Sequence, residues 1–136
     1  AEVDAAAARL ARARAASAAA DAALAESEER GRLTLEAFGG GGYDCRPAEG
    51  RVIRSPGMLA LLGEAAHDGT PLWWTGRIHP ADKPAWDAAR VRLFGGTGGI
   101  FEARYRIRHA DGRWVHVWHR SLALRDADGV IRRMVG

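Results

Sequence analysis

The sequence predicts an α+β domain: a five-stranded antiparallel sheet with short helices over one face, preceded by a long N-terminal helix. Three observations predict it. Residues 1–30 are Ala-, Leu-, Glu- and Arg-rich, without Gly or Pro, which favours helix. Residues 99–136 alternate apolar and charged side chains at a period of two, broken by Asp111-Gly112 and Asp128-Gly129. Between these regions, two short strand-like runs and several short helical runs are punctuated by Gly and Pro.

Taken in order, residues 1–30 would extend about 45 Å as a helix. Val3, Leu10 and Leu24, with Ala between them, form a weak stripe at three-and-four spacing. This segment reads as a helical linker, or as a dimerisation helix that pairs with its copy or packs on the open face of the sheet. Gly31 is expected to interrupt it, with a short helix resuming from Arg32 to Phe38 and ending at Gly39–Gly42. Tyr43–Arg46 reads as a strand, Pro47–Gly50 as a turn and Arg51–Arg54 as the hairpin partner. Ser55-Pro56 opens a helix as N-cap and first helical residue, with Met58, Leu59, Leu61 and Leu62 as its apolar side. Glu64–Thr70 is a loop and Pro71–Arg77 a short helix with Leu72, Trp73 and Trp74. His79-Pro80-Ala81-Asp82 begins a helix whose prolines are tolerable only in its first turn. Asp82 suits the positive end of its dipole. Trp86, Ala89 and Leu93 share one face, and Gly95-Gly96 ends it.

The last three strands carry the most information. Phe101, Ala103, Tyr105 and Ile107 point one way; Glu102, Arg104, Arg106 and Arg108 point the other. With Asp111-Gly112 as a two-residue loop, Ile107 falls opposite His116, Tyr105 opposite Trp118 and Phe101 opposite Leu122. One face then carries Phe101, Tyr105, Ile107, His116, Trp118 and Leu122. The other carries the arginines with Val115, Val117 and His119, and those two valines call for a partial cover.

Composition narrows the function. A chain of 136 residues can bury one core. It starts without Met and stops on a strand, so it reads as a piece of a longer protein. Net charge is +3, almost all from arginine, since Lys83 is the only lysine. The arginines are scattered along the elements, which argues against nucleic acid and for a solvated or salt-bridged sheet face. Cys45 is alone, so there is no internal disulfide or cysteine metal cluster, and a reducing cytoplasm is expected. No run within the sequence is apolar enough to span a bilayer, and no signal peptide is seen. His116 and His119 lie three apart on a strand and cannot share a metal. No nucleophile–base pair, paired carboxylates or phosphate-cradling motif is present, so no catalytic residue is assigned.

The element order and six local motifs resemble the PAS domain, in its PAS-fold-3 form with a trailing PAC segment. The motifs are Gly50-Arg51-Val52 before Ser55-Pro56-Gly57, Leu59-Ala60-Leu61-Leu62-Gly63, Arg77-Ile78-His79-Pro80-Ala81-Asp82, Phe101-Glu102-Ala103-Arg104-Tyr105-Arg106-Ile107-Arg108, Asp111-Gly112-Arg113-Trp114-Val115, and Arg125-Asp126-Ala127-Asp128-Gly129 followed by Arg133-Met134-Val135-Gly136. The resemblance covers about residues 28–136. It departs from the pattern at Tyr43 and Cys45, at His116, where Trp is common, and at His119-Arg120-Ser121.

The resemblance implies a PAS-like sensor domain over 31–136 behind the helix of 1–30. Its role would be sensory, signal-transducing and dimerising within a multidomain bacterial protein, most naturally a sensor histidine kinase, with the effector in the same chain. The alternatives are the sensor region of a diguanylate cyclase and a structural dimerisation domain with a filled core. Pocket candidates are Tyr43, Leu59, Trp74, Trp86, Phe101, Tyr105, Ile107, His116 and Trp118, which would enclose a small organic ligand or simply fill the core. His116 is the sharpest of these, as a titratable group on the expected inner face; the plainer reading is a satisfied core or edge histidine. Haem is disfavoured because the Asp82–Phe94 helix lacks histidine, and only His116 leaves it open. Flavin photochemistry is disfavoured because Cys45 lies on a strand, in Asp44-Cys45-Arg46.

Overall fold

A computed structural model describes all residues, 1–136. The chain forms two compact units, Ala1–Phe38 and Gly39–Gly136. The first is a single helix, α1 (Glu2–Ala37), with no buried residue. It runs straight through Gly31, correcting the expected break. One helical glycine costs only about 1 kcal/mol relative to Ala, and its neighbours are strong helix formers. Arg30 and Arg32 bond Glu26 at 3.1 Å and Glu36 at 2.7 Å across single turns, on either side of the glycine. Phe38 caps the helix and is exposed. The stripe residues Val3, Leu10 and Leu24 are exposed as well.

The second unit is a five-stranded antiparallel sheet of β1 (Tyr43–Arg46), β2 (Arg51–Arg54), β3 (Ile100–Arg108), β4 (Trp114–Arg125) and β5 (Ile131–Val135), in the order β2-β1-β5-β4-β3. β1 and β5 meet in the middle, with Cys45 opposite Met134, so the two ends of the unit are stitched together. Three helices lie between β2 and β3 in sequence: α2 (Pro56–Leu61), α3 (Leu72–Thr75) and α4 (Lys83–Gly95). Ser55 caps α2 as expected: its Oγ accepts from Met58 N at 3.3 Å and from Gly42 N at 2.8 Å. Met58, Leu62, Trp74, Trp86 and Leu93 join Phe101, Tyr105, Ile107, Ala123, Ile131 and Met134 in one core.

Asp82 does more than sit near a helix dipole. It makes no side-chain cap; instead its carboxylate accepts from Arg106 Nε, Nη2 and backbone N, each at 2.9 Å. These bonds hold its carboxyl well below the ordinary range and tie the start of α4 to β3. Beside them, Arg77–His79 runs along the free edge of β3, with His79 N to Arg106 O at 2.8 Å and Arg108 N to Arg77 O at 3.0 Å. That edge is therefore partly closed to other strands.

The β3–β4 register differs from the expected one by one residue. Ile107 faces Val115, Tyr105 faces Val117, Ala103 faces His119 and Phe101 faces Ser121. The cause is the loop. His109 N bonds Arg113 O at 2.9 Å and Gly112 N bonds His109 O at 2.9 Å, with Gly112 at φ +92°. Ala110-Asp111-Gly112 is thus a three-residue loop with its glycine left-handed, not a two-residue turn. One extra residue turns every β4 side chain over. Val115, Val117, His119, Ser121 and Ala123 face the helices, while His116, Trp118, Leu122 and Leu124 are exposed. The placing of His116, Trp118 and Leu122 on the inner face, and of Val115, Val117 and His119 on the outer, is corrected accordingly. The two valines are covered by the core itself and do not call for α1.

The glycine run is read by its packing. A Cβ on Gly41 would fall on the Met58 backbone, and one on Gly57 would lie 2.6 Å from Gly40 O, whereas Gly40 has open space. The close crossing of this run over α2 requires glycine at 41. Gly41→Ala is expected to lower stability by about 2 kcal/mol through overpacking. Gly40→Ala should be neutral or gain about 0.5 kcal/mol from a stiffer unfolded chain. Urea midpoints of the two variants check the contrast.

Candidate functional site

Between the sheet and its helices lies a cavity of about 220 Å³. Every strand contributes to its wall: Val52 and Arg54 from β2, Tyr43 and Cys45 from β1, Met134 from β5, Val117 and His119 from β4, and Phe101 from β3. α2 adds Met58 and Leu61, α3 adds Trp74, and α4 adds Trp86 and Arg90. The contributions follow from the alternation of strands: odd-numbered residues of β1, β3 and β4 point inward together because the register aligns them.

Four aromatic side chains are joined through polar atoms. Trp74 Nε1 donates to the Tyr105 hydroxyl at 2.8 Å. The Tyr105 hydroxyl lies 2.9 Å from His119 Nδ1, and the Tyr43 hydroxyl 2.8 Å from His119 Nε2. Since the Tyr105 oxygen already accepts from Trp74, its own O–H goes to Nδ1. This pattern assigns the His119 proton to Nε2, which donates to Tyr43. The imidazole also packs against the Phe101 ring at 4.8 Å between centroids. Burial in this setting pushes the His119 pKa down to about 4. Burial likewise raises Tyr105, Tyr43 and the Cys45 thiol, so Cys45 is held as a neutral thiol rather than a nucleophile.

The cavity has an uneven polar inventory. No Asp, Glu or Lys lines it. Arg54 is 7% exposed; its Nη1 bonds His67 Nδ1 at 3.0 Å and its Nη2 bonds Thr70 O at 2.7 Å. Arg54 Nε, Trp86 Nε1 and Ser121 Oγ are buried without a hydrogen-bond partner.

Of the nine pocket candidates, Tyr43, Trp74, Trp86, Phe101 and Trp118 are among the residues that line the cavity. Tyr105 stands behind them, joined through its hydroxyl to Trp74 and His119. Ile107 is fully buried in the core, and Leu59 is half-buried on α2, where Met58 and Leu61 take the lining positions. His116 is exposed on the outer face. Trp118 is 64% exposed, with its Nε1 on Glu102 Oε1 at 3.0 Å. The inward-facing positions expected of those two are taken by His119 and Val117, their neighbours in sequence. The two hairpin loops, Ala110-Asp111-Gly112 and Ala127-Asp128-Gly129, share one pattern and both glycines have positive φ, but a two-residue turn uses a left-handed glycine as well, so the pattern alone does not give the loop length. Arg54 had no signal either. A charged residue on a short edge strand gives no hint of burial.

The sequence model of the PAS-fold family (PAS_3) matches residues 51–136. Comparison with curated proteins gives no match. A crystal structure of a sensory box histidine kinase/response regulator from Burkholderia thailandensis E264 is similar at 26% identity and a TM-score of 0.68, covering 79% of this chain and 80% of that one. The N-terminal domain of a diguanylate cyclase with PAS/PAC sensor from Marinobacter aquaeolei is similar at 23% identity and a TM-score of 0.61, covering 71% and 89%. A domain of the sensory box sensor histidine kinase/response regulator from Geobacter sulfurreducens is similar at 20% identity and a TM-score of 0.55, covering 82% and 92%.

The state of His119 gives a pH signature. In the unfolded chain a histidine takes up its proton near pH 6.5; in the fold His119 resists until about pH 4. Between those values the unfolded state binds more protons, so stability is complete above pH 6.5 and falls as pH falls. The loss should reach about 3 kcal/mol by pH 4. Urea unfolding at successive pH values measures it, and His119→Gln should flatten this window relative to the unaltered chain.

Proposed function

This chain belongs to the PAS-fold family, and on that premise we propose that it is the sensory and dimerisation module of a multidomain bacterial signalling protein, a sensor histidine kinase, working in the cytoplasm. The observation that carries the sensory part is the cavity, whose wall draws on all five strands and three helices. An occupant there touches β1, β5, β4 and β3 at once, so its arrival changes the relative energies of sheet arrangements rather than of one loop. The likeness to the B. thailandensis histidine kinase supports the choice of effector.

Dimerisation is assigned to α1. A helix of 36 residues with no buried position is unusual for a segment acting alone, because helices gain most of their stability from packing one face. Val3, Leu10 and Leu24 provide the apolar stripe along which two copies would meet, thinly, through alanine-sized contacts. The domain limits follow: residues 1–38 as the pairing helix and 39–136 as the sensor. Native mass spectrometry of purified chain tests the sensory reading by showing a stoichiometric small molecule, and a preparation that never carries or accepts one points instead to a dimerisation module with no ligand.

Removing residues 1–38 is expected to weaken self-association by about tenfold or more, the difference that about 1.4 kcal/mol makes. The circular dichroism of the sheet unit should be retained. Sedimentation equilibrium showing an unchanged dimer after that truncation would take the role away from α1.

A further inference from the structure

We propose that the cavity takes a single-ring aromatic monocarboxylate, its ring among Trp74, Trp86 and Phe101 and its carboxylate on Arg54. The proposal rests on the sensory reading above and adds the class of molecule sensed.

Size comes first. A dry cavity of roughly 150 Å³ accommodates benzene. The 220 Å³ here therefore suits one ring with a small head group, and is below the range of about 300 Å³ and more typical of drug-sized ligands. The wall comes second. Trp74, Trp86, Phe101 and Tyr43 present flat apolar surfaces, which favour an aromatic ring over a flexible chain. His119 adds no charge, because burial keeps it neutral down to about pH 4.

The head group follows from the charge inventory. Arg54 is a guanidinium buried to 7% exposure with no carboxylate in ion-pairing range; it forms none of the salt bridges of this fold, whereas Arg77, Arg106 and Arg133 each pair with an acid. Two of its nitrogens rest on neutral acceptors, His67 Nδ1 and Thr70 O. His67 Nδ1 also accepts from Gly69 N at 3.0 Å, so that imidazole gives Arg54 no negative charge. Arg54 Nε is without a partner. A buried charge without a contacting carboxylate is costly: burial holds the guanidinium pKa below its usual value although the field of Asp68 opposes that shift, and the Trp73 ring 5.0 Å away is its other cationic contact. Arg90, exposed on α4 and also lining the cavity, adds positive potential on this side. A buried guanidinium with an unpaired Nε, a second arginine on the wall and no acid there select an acceptor-only anion, and a carboxylate is the smallest that carries a ring with it.

Calorimetry on the whole chain decides this with shape-matched pairs: benzoate against benzamide, and phenylacetate against phenylacetamide. The acids should bind about tenfold more tightly than the amides, as expected for a charge-assisted bond, and should raise the melting temperature. Arg54→Gln should remove that preference while leaving the amides within about twofold. Equal binding of acid and amide by the unaltered chain overturns the carboxylate assignment, whether or not the Arg54 variant folds. If neither series binds, the assignment also falls. Toluene then separates the two levels: its binding leaves the sensory cavity standing with a neutral ligand, and its failure removes both.

Discussion

The alignment of β3 against β4 is the constraint on which the rest of the structure depends. It is set by a loop of three residues, Ala110-Asp111-Gly112, whose glycine adopts φ +92°. Because strand side chains alternate, the loop length decides which of two complete sets of β4 residues faces the helices. The set it selects is Val115, Val117, His119, Ser121 and Ala123. Shifted by one, the inner face would carry Trp118 in place of Val117, and a tryptophan there would occupy space that the cavity now holds. A single residue of loop length thus becomes the difference between a filled core and one with room in it.

Much of this was legible in the chain. Strand positions β1 and β2, the Ser55 cap, the inward faces of β3 and α4, and the family itself follow from alternation, capping residues and motif spacing. These signals are local: each needs only a few neighbouring residues. What was not legible depends on contacts distant in sequence. The turn type at Asp111-Gly112 is settled jointly by Ala110 N on Leu62 O at 2.8 Å and by Gly63, where a Cβ would collide with the His109 ring. The burial of Arg54 is settled by a loop, through His67 and Thr70, that no periodicity describes. Gly31 failed as a break for the opposite reason. Its penalty is local and small, and the strong helix formers around it outweigh it.

The two faces of the sheet solve different problems. The outer face is rich in arginine, but the charges are not simply solvated. Arg106 grips Asp82 through Nε at 2.9 Å and Arg133 grips Asp44 through Nε at 3.0 Å; each carboxylate is held below its ordinary range by its arginine. These pairs bind helix to strand and strand to strand from the solvent side, where exposed pairs contribute modestly but fix geometry. The inner face uses neutral groups for the same purpose. Trp74, Tyr105, His119 and Tyr43 form a chain from α3 across β3 and β4 to β1. In a buried setting such a chain is safe only when its members find partners, and these do.

That chain also bears on why the cavity persists. Large aromatic rings tend to collapse into neighbouring space, since dispersion favours close packing on every side. Here three of them are held at their polar ends, so a ring could move inward only by leaving a buried donor or acceptor unpaired, at about 1–3 kcal/mol each. An occupant adds packing that the wall lacks, and mass action then couples occupancy directly to the stability of the sheet. The same hydrogen bonds that keep the space open therefore make the fold responsive to whatever fills it.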